Sequence, residues 1–155
     1  MSVHVTTKKI IKEWTDYNEH MNMAYYVLIF DLAWEVILEK FKMGEHSAKT
    51  TKKSTMVVET HTTYNNEVKQ GDEVDIILNY FDHDKKRLHF KMEMYEKKNK
   101  TLSATIEMLS LYIDLNQRKV SEFEEEKVKI MDEFIMQNRS KFKTENLIFS
   151  DKLKK

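Results

Sequence analysis

The stretch EWTDYNEHMNMAYYVLIFDLAWEVIL, residues 13–38, joins a crowded polar segment to the most apolar part of the chain. Within seven residues it places Asp16, Asn18, Glu19, His20 and Asn22. A helix needs one such side chain as its N-cap, and Asn22 is suitably placed for that role. The other four polar side chains therefore indicate a functional site at the start of the helix.

A long helix is predicted to follow Asn22. Apolar residues recur behind it at helical intervals, at Ala24, Val27, Leu28, Leu32, Ile37 and Phe41. The aromatic residues between them leave little polar surface, so the helix is expected to be covered on most sides, as a central core helix is. Gly44 is a suitable stop signal for this helix.

Most of the remaining chain alternates between apolar and polar residues with the period of a β-strand. Residues 3–14 are rich in β-branched types and predict a first strand. After a polar connection at residues 45–53, the alternation predicts four more strands, at residues 55–67, 74–80, 88–94 and 101–113. Polar turns between them are typical of an antiparallel meander. A last amphipathic helix is predicted from about residue 122 to residue 137.

These elements predict an α+β fold in which a curved antiparallel sheet wraps one long central helix, with a second helix near the C-terminal end. Residues 1–138 form one domain, and residues 139–155 form a basic tail with six Lys/Arg and two Asp/Glu. The tail is expected to be solvated, or else to touch an anionic partner. A single sheet leaves an edge and an outer face uncovered, so a homodimer or a dimer of dimers is expected.

The composition argues against several classes of protein. The 26 basic residues are balanced by 26 acidic ones, whereas nucleic-acid binding favours a basic surplus. The N-terminus has no apolar core of signal-peptide length. The most apolar run, residues 23–38, is interrupted by Asp31 and Glu35 and is short for a membrane span. A cytoplasmic protein with no nucleic-acid or membrane partner is expected.

Metal binding is not predicted. The absence of cysteine excludes disulfides and thiolate zinc sites. The histidines fit no compact ligand motif, standing at His4, His20, His46, His61, His83 and His89. We therefore expect neither a metal nor a cofactor.

The residues themselves resemble a known family. WTDYNEHMNMAYYVLIFDLA, residues 14–33, resembles the signature of the hotdog-fold acyl-CoA thioesterases of the 4-hydroxybenzoyl-CoA thioesterase-like superfamily. Within it, DYNEHMNMAYY, residues 16–26, is similar to the betainyl-CoA thioesterase branch associated with carnitine breakdown. Residues 57–74, 84–96 and 109–123 are similar to the same branch. The resemblance spans roughly residues 5–135 and implies a hotdog fold. Glu19 departs from the pattern, because the family usually has Gly there.

The resemblance implies that Asp16 is the catalytic carboxylate. A carboxylate can attack a thioester directly or deprotonate the attacking water. The N-terminus of a helix supplies free N–H groups and a positive dipole end for the developing oxyanion. We therefore expect the N–H of Met23, and that of Ala24 with it, to polarise the carbonyl group. Asn22 would fix the turn, and His20 would support it.

Residues around the motif are candidates for substrate binding. Tyr17 and Tyr25, with Ala24, either pack in the core or line an acyl pocket, where an aromatic ring would attract a quaternary ammonium group. Glu19 could strain the loop, block the acyl pocket or add a second carboxylate.

Glu59 and His61 lie two residues apart and share one face of a strand. They either line a pocket at a dimer interface or form a surface ion pair. The phosphates of coenzyme A need basic residues at a pocket rim, and candidates are Lys52, Lys53, Lys85, Lys86 and Arg87.

The predicted function is hydrolysis of a small or medium acyl-CoA, betainyl-CoA included, with coenzyme A entering as part of the substrate. One alternative is an aromatic acyl-CoA or an acyl carrier protein as substrate, the latter docking on the basic tail. Another is a non-catalytic acyl-CoA-binding module in which Glu19 has disabled the loop.

Overall fold

The computed structural model describes residues 2–155. Its elements in chain order are β1 (Val3–Lys9), α1 (Met23–Lys40), α2 (Glu45–Thr51), β2 (Lys53–Tyr64), β3 (Glu73–His83), β4 (Arg87–Glu96), β5 (Thr101–Asp114), β6 (Lys119–Val120) and α3 (Glu125–Asn138). Single 3₁₀ turns occupy Lys12–Trp14, Arg139–Lys141 and Ser150–Lys152. No helix in this part of the chain is both long and apolar enough to cross a membrane.

The strands form one antiparallel sheet in the order β1-β3-β4-β5-β2, with the short β6 paired to β5. The predicted meander of β3, β4 and β5 is confirmed. The register shifts in four of the strand pairs, for example between Leu78 and Tyr80 and between Val57 and Glu59. Such bulges bend strands and increase their twist. The sheet curls around α1, which confirms the predicted α+β arrangement.

The buried face of α1 packs on the inner face of the sheet. Trp34 stacks on Phe90 with ring centroids 3.5 Å apart, and Phe41 packs on Phe81 at 4.9 Å. The buried side chains of the helix are Tyr26, Ile29, Phe30, Ala33, Trp34, Ile37 and Leu38. The predicted start of the helix at Met23 is confirmed.

The expectation that α1 is covered on most sides is wrong for the single chain. Its second apolar face is 37–39% exposed, at Val27, Leu28, Leu32 and Val36. The spacing of apolar residues did not show which face would meet the sheet, because the helix is apolar nearly all round.

Two local predictions are corrected. The first strand ends at Lys9, and Lys12–Trp14 turn in a 3₁₀ helix before the polar loop. Residues 45–51 form α2 where a connection was expected, and Gly44 is the N-cap of that helix rather than the end of α1. A Cβ on Gly44 would meet the carboxylates of Glu39 and Glu35, which are the mobile ends of flexible side chains.

The C-terminal segment, residues 142–155, is not a solvated tail. It crosses the outer face of the sheet, where the N–H of Lys143 donates to the carbonyl of Asn79 at 2.8 Å and the N–H of Lys154 donates to Asp84 at 2.7 Å. Phe149 is 2% exposed and packs edge-on against His89. Charge alone suggested solvent, but the apolar residues within the segment fix it to the sheet.

Glu107 on β5 anchors this segment. Its carboxylate accepts hydrogen bonds from the N–H groups of Ile148 and Phe149 at 2.8–2.9 Å and from His89 Nε2 at 2.7 Å. Burial raises the pKa of Glu107, but these donors stabilise the ionised form and hold the pKa below its ordinary value of 4.5. The charge of Glu107 therefore stabilises the fold above pH 4.5, and that stabilisation is lost as the pH falls through the lowered pKa.

Glu107→Gln is expected to lower the free energy of unfolding at neutral pH by about 2 kcal/mol, because charge-assisted hydrogen bonds to buried groups are lost. Amide hydrogen exchange should accelerate most at Ile148 and Phe149. The difference from wild type should shrink as the pH falls below 4.5. Glu145→Gln is the control, since Glu145 is exposed in the same segment. Equal exchange at Ile148 in both variants would contradict the anchoring role.

Candidate active site

A cavity of about 320 Å³ opens at the N-terminus of α1. It is lined by two segments distant in sequence, the polar loop before α1 and the end of β2 with the loop after it. The lining residues are Asp16, Asn18, His20, Met21, Met23, Tyr26, Tyr64, Asn65, Asn66 and Glu67. The sequence-predicted Asp16, His20 and Met23 are thus brought to one cavity.

The polar loop is a tight turn closed by its own backbone. The N–H of Asp16 donates to the carbonyl of His20 at 3.1 Å, and the N–H of Glu19 donates back to the carbonyl of Asp16 at 2.9 Å. The Asp16 carboxylate accepts the N–H of Asn18 at 2.9 Å. This contact to a residue two positions on orients the carboxylate at the cavity wall.

The loop is also attached to the segment after β2. The N–H of Met21 donates to the carbonyl of Val68 at 2.8 Å, and the His20 ring lies 3.0 Å from the Glu67 carboxylate. His20 therefore links the two walls of the cavity, and its role in supporting the turn stays a prediction. Glu67 forms this pair while its side chain stays exposed.

The N-terminus of α1 leaves the N–H group of Met23 available. The side chain of Asn22 accepts the N–H of Ala24 at 3.0 Å, which confirms Asn22 as the N-cap. The N–H of Tyr25 donates to the carbonyl of Asn22 at 3.0 Å. The N–H of Met23 has no acceptor among residues 2–155. It is the group free to bind an oxyanion at the positive end of the helix dipole.

Two tyrosines form the aromatic wall of the cavity. Tyr26 of α1 and Tyr64 of β2 meet edge to face, with ring centroids 5.3 Å apart. Burial raises the pKa of the Tyr26 hydroxyl above its ordinary value, so this group stays neutral. Sequence reasoning missed both tyrosines, as well as Asn65 and Asn66. The pair of asparagines directly after a strand was the feature of the sequence that could have indicated this wall of the cavity.

Several predicted substrate-binding residues lie outside the cavity of the single chain. Tyr17 is 95% exposed, and Glu19 is exposed at the tip of the turn. Tyr25 packs against Trp14 with ring centroids 6.3 Å apart, as the core-packing alternative requires. Ala24 contributes its N–H to the cap and is not among the lining residues.

Glu59 and His61 lie on the exposed edge strand β2. They stand opposite Leu109 and Glu107 of β5, so both point to the outer face of the sheet and share a face as predicted. They do not line the cavity of the single chain. Their role in a site shared with a partner stays a prediction.

Comparison with known proteins decides the family. Residues 11–137 match the model of the thioesterase-like superfamily. The chain belongs to the thioesterase-like superfamily. This membership confirms the predicted hotdog fold and the predicted thioesterase class of enzyme.

Three relatives illustrate the similarity of this thioesterase-like chain to known proteins. A betainyl-CoA thioesterase from Pseudomonas aeruginosa is 29% identical over 128 residues, which cover 81% of this chain and 80% of the relative. A Staphylococcus aureus protein solved in complex with CoA has a TM-score of 0.81 and 23% identity, covering 96% of this chain and 91% of its own. A putative thioesterase from Pseudomonas putida has a TM-score of 0.80 and 23% identity, covering 96% of both chains.

The turn of this thioesterase-like chain carries a strained residue. Glu19 has φ of +66°, the left-handed region that favours glycine. Five other residues with side chains adopt similar values, at Lys42, Lys52, Lys100, Arg118 and Asn146. The chain has only two glycines, so non-glycine residues occupy most of its left-handed positions. Glu19 strains the turn without entering the cavity.

Glu19→Gly is expected to raise the free energy of unfolding by about 0.5–1 kcal/mol, since relief of left-handed strain exceeds the entropic cost of glycine. Chemical denaturation of the two proteins measures this difference. Asn18→Gly is the matched control, because Asn18 lies next in the turn and has no positive φ. The Asn18→Gly substitution should lower the free energy of unfolding. A loss of stability in both variants would show that φ at residue 19 carries no strain.

Proposed function

We propose that this chain hydrolyses an acyl-CoA thioester with Asp16 as nucleophile or general base. The observation that carries the proposal is that Asp16 and Met23, whose N–H is unpaired, line the same cavity. A carboxylate and an oxyanion donor on one cavity are the two elements that acyl transfer requires.

The reaction needs only these two groups and water. Asp16, or a water that it deprotonates, attacks the carbonyl carbon of the thioester. The Met23 N–H stabilises the negative oxygen of the tetrahedral species, and the C–S bond then breaks. Coenzyme A leaves as a thiolate and takes up a proton, while the acyl group leaves as a free acid after direct hydrolysis or after hydrolysis of an Asp16 anhydride. No resident cofactor takes part in this scheme.

Coenzyme A as the carrier is supported by the relatives: one is a betainyl-CoA thioesterase, and a structural neighbour was solved with CoA. The cavity volume of about 320 Å³ suits a small acyl group. The aromatic rings of Tyr26 and Tyr64 and the carboxylate of Glu67 favour a cationic group such as a quaternary ammonium. We therefore favour a small cationic acyl group of the betainyl type.

The alternatives are weaker on specific grounds. Glu19 does not line the cavity, which removes the geometric reason for a non-catalytic binding module. The C-terminal segment packs on the sheet, so it is less suited to capture an acyl carrier protein. An aromatic acyl-CoA remains compatible with the two tyrosines and is one arm of the test below.

We further propose that the chain acts as a homodimer. Strand β2 is an open sheet edge with exposed Met56, Val57 and Val58, and α1 also leaves an apolar face uncovered. Pairing of β2 with its copy would satisfy the free backbone groups of the edge and bury the apolar side chains. Glu59 and His61 would then lie at the interface.

Asp16→Asn is expected to lower kcat by about 10²–10⁴-fold, the range typical of a lost catalytic carboxylate. Release of coenzyme A would be followed with betainyl-, short linear, medium linear and aromatic acyl-CoA. A disulfide-exchange dye reports only that thiol, because the chain has no cysteine. Glu13→Gln is the control, since Glu13 is an exposed carboxylate outside the cavity. Full turnover by Asp16→Asn would rule out the assigned mechanism, and preference for an aromatic substrate would overturn the betainyl assignment.

Val57→Asp is expected to convert a dimer into a monomer of 18.7 kDa, because it places a charge in the proposed β2 pairing. Light scattering after size exclusion measures the mass. Met136→Glu is the control, since Met136 is an equally apolar and more exposed residue on α3. The edge is not the interface if wild type is already monomeric, or if Val57→Asp leaves the dimer intact.

A further inference from the structure

A second and larger cavity lies on the opposite side of the sheet from α1. Its volume is about 580 Å³, within the range of small-molecule sites. We call it the outer-face cavity. Its lining residues are Ser2, Asp75, Ile77, Leu78, Asn79, Glu93, Tyr95, Glu96, Lys97, Lys100, Lys141 and Lys143. None of them lines the candidate active site.

The outer-face cavity is bounded by elements that are fixed in place. Strands β3 and β4 contribute residues on one side, and residues 141–143 on the other. The hydrogen bond from the N–H of Lys143 to the carbonyl of Asn79 fixes that second side. The surface within is mostly apolar and includes the half-buried Ile77 and the ring of Tyr95.

The carboxylates of the cavity already have partners within the chain. Glu93 accepts hydrogen bonds from Asn79 Nδ2 at 2.7 Å and from the Tyr95 hydroxyl at 2.9 Å. Asp75 is bound by the side chains of Thr7 and His4. Glu96 accepts the N–H of Asn99. These negative charges are stabilised internally and leave little demand for an external cation.

The lysines of the cavity are not compensated in the same way. Lys97, Lys100 and Lys141 form no ion pair within 4.0 Å in the described part of the chain, and Lys143 only reaches Glu93 at 4.0 Å. The lining carries four lysines against three carboxylates, so its net charge is positive. An apolar body with a negative end would match both features.

We propose that the outer-face cavity binds a small carboxylate with an aliphatic body. The body lies against Ile77 and Tyr95, and the carboxylate lies among Lys97, Lys100 and Lys141. Because such a ligand contacts both the sheet and the chain leading into the C-terminal segment, its binding stabilises the attachment of that segment.

The test uses the full chain and sodium octanoate as the probe, with 1-octanol as its neutral counterpart, in isothermal titration calorimetry. The double variant Lys100→Glu/Lys141→Glu is expected to weaken octanoate binding by about tenfold or more. The introduced carboxylates would repel the carboxylate of octanoate, which the lysines attract. Lys152→Glu is the matched control, an exposed lysine of the same C-terminal segment outside the cavity. Octanol should bind at least about tenfold more weakly than octanoate. Octanoate should slow amide exchange at residues 143–149.

Three results would overturn the proposal. Octanoate could fail to bind wild type, or bind wild type and the double variant equally. Its binding could be abolished by saturating coenzyme A and track competitive inhibition of thioester hydrolysis, which would assign it to the α1 cavity. The double variant could change the mass of the assembly, which would identify the cavity as a contact between copies. Unchanged hydrolysis by the double variant keeps this test separate from the proposed activity.

Discussion

The candidate site depends on the burial of one face of α1 against the inner face of the sheet. Trp34 stacks on Phe90, while Phe30 and Ile37 are almost completely buried on the same side of the helix. A close-packed contact of this kind resists displacement, because a shift would open voids or force side chains from their rotamers. The N-terminus of α1 is consequently held beside the loop after β2. The cavity between them exists because the helix axis is fixed several turns away.

On this rigid base, the polar loop is positioned mainly by backbone hydrogen bonds. The loop closes on itself through Asp16 and His20, and Met21 attaches it to Val68. Side chains then act on a backbone that is already fixed: Asn22 occupies the N–H of Ala24, which leaves that of Met23 as the available donor. Such preorganisation matters for catalysis, since donors that are fixed before the reaction need no reorganisation during it. The left-handed Glu19 shows that the turn geometry is maintained even without the glycine that would relieve it.

The sequence was informative where one residue type serves one local purpose. Asn22 was predicted as a cap because few residues can accept the N–H groups of a first turn, and the alternation of Leu88, Phe90, Met92 and Met94 could only be a half-buried strand. The sequence did not predict the features that depend on tertiary contacts. The apolar pattern of α1 is nearly uniform around the helix, so the exposure of Leu28 and Leu32 did not follow from spacing. Tyr64 and Glu67 reach the site only through the pairing of β2 with β5, which no local pattern contains. The C-terminal segment looked like a basic tail because its anchor, Glu107, lies 41 residues from Ile148.

The two open edges of the sheet are chemically unequal, and this inequality is the reason for proposing β2 as the surface for assembly. Strand β1 has seven residues and ends in Lys8 and Lys9, features that discourage pairing with another chain. Strand β2 has twelve residues and carries consecutive Met56, Val57 and Val58 with no charge among them. Contact through β2 is therefore the assembly that we propose, since this edge carries the apolar side chains. Such a contact would pair the free edge close to the cavity that holds Asp16, because Tyr64 at the end of β2 lines that cavity.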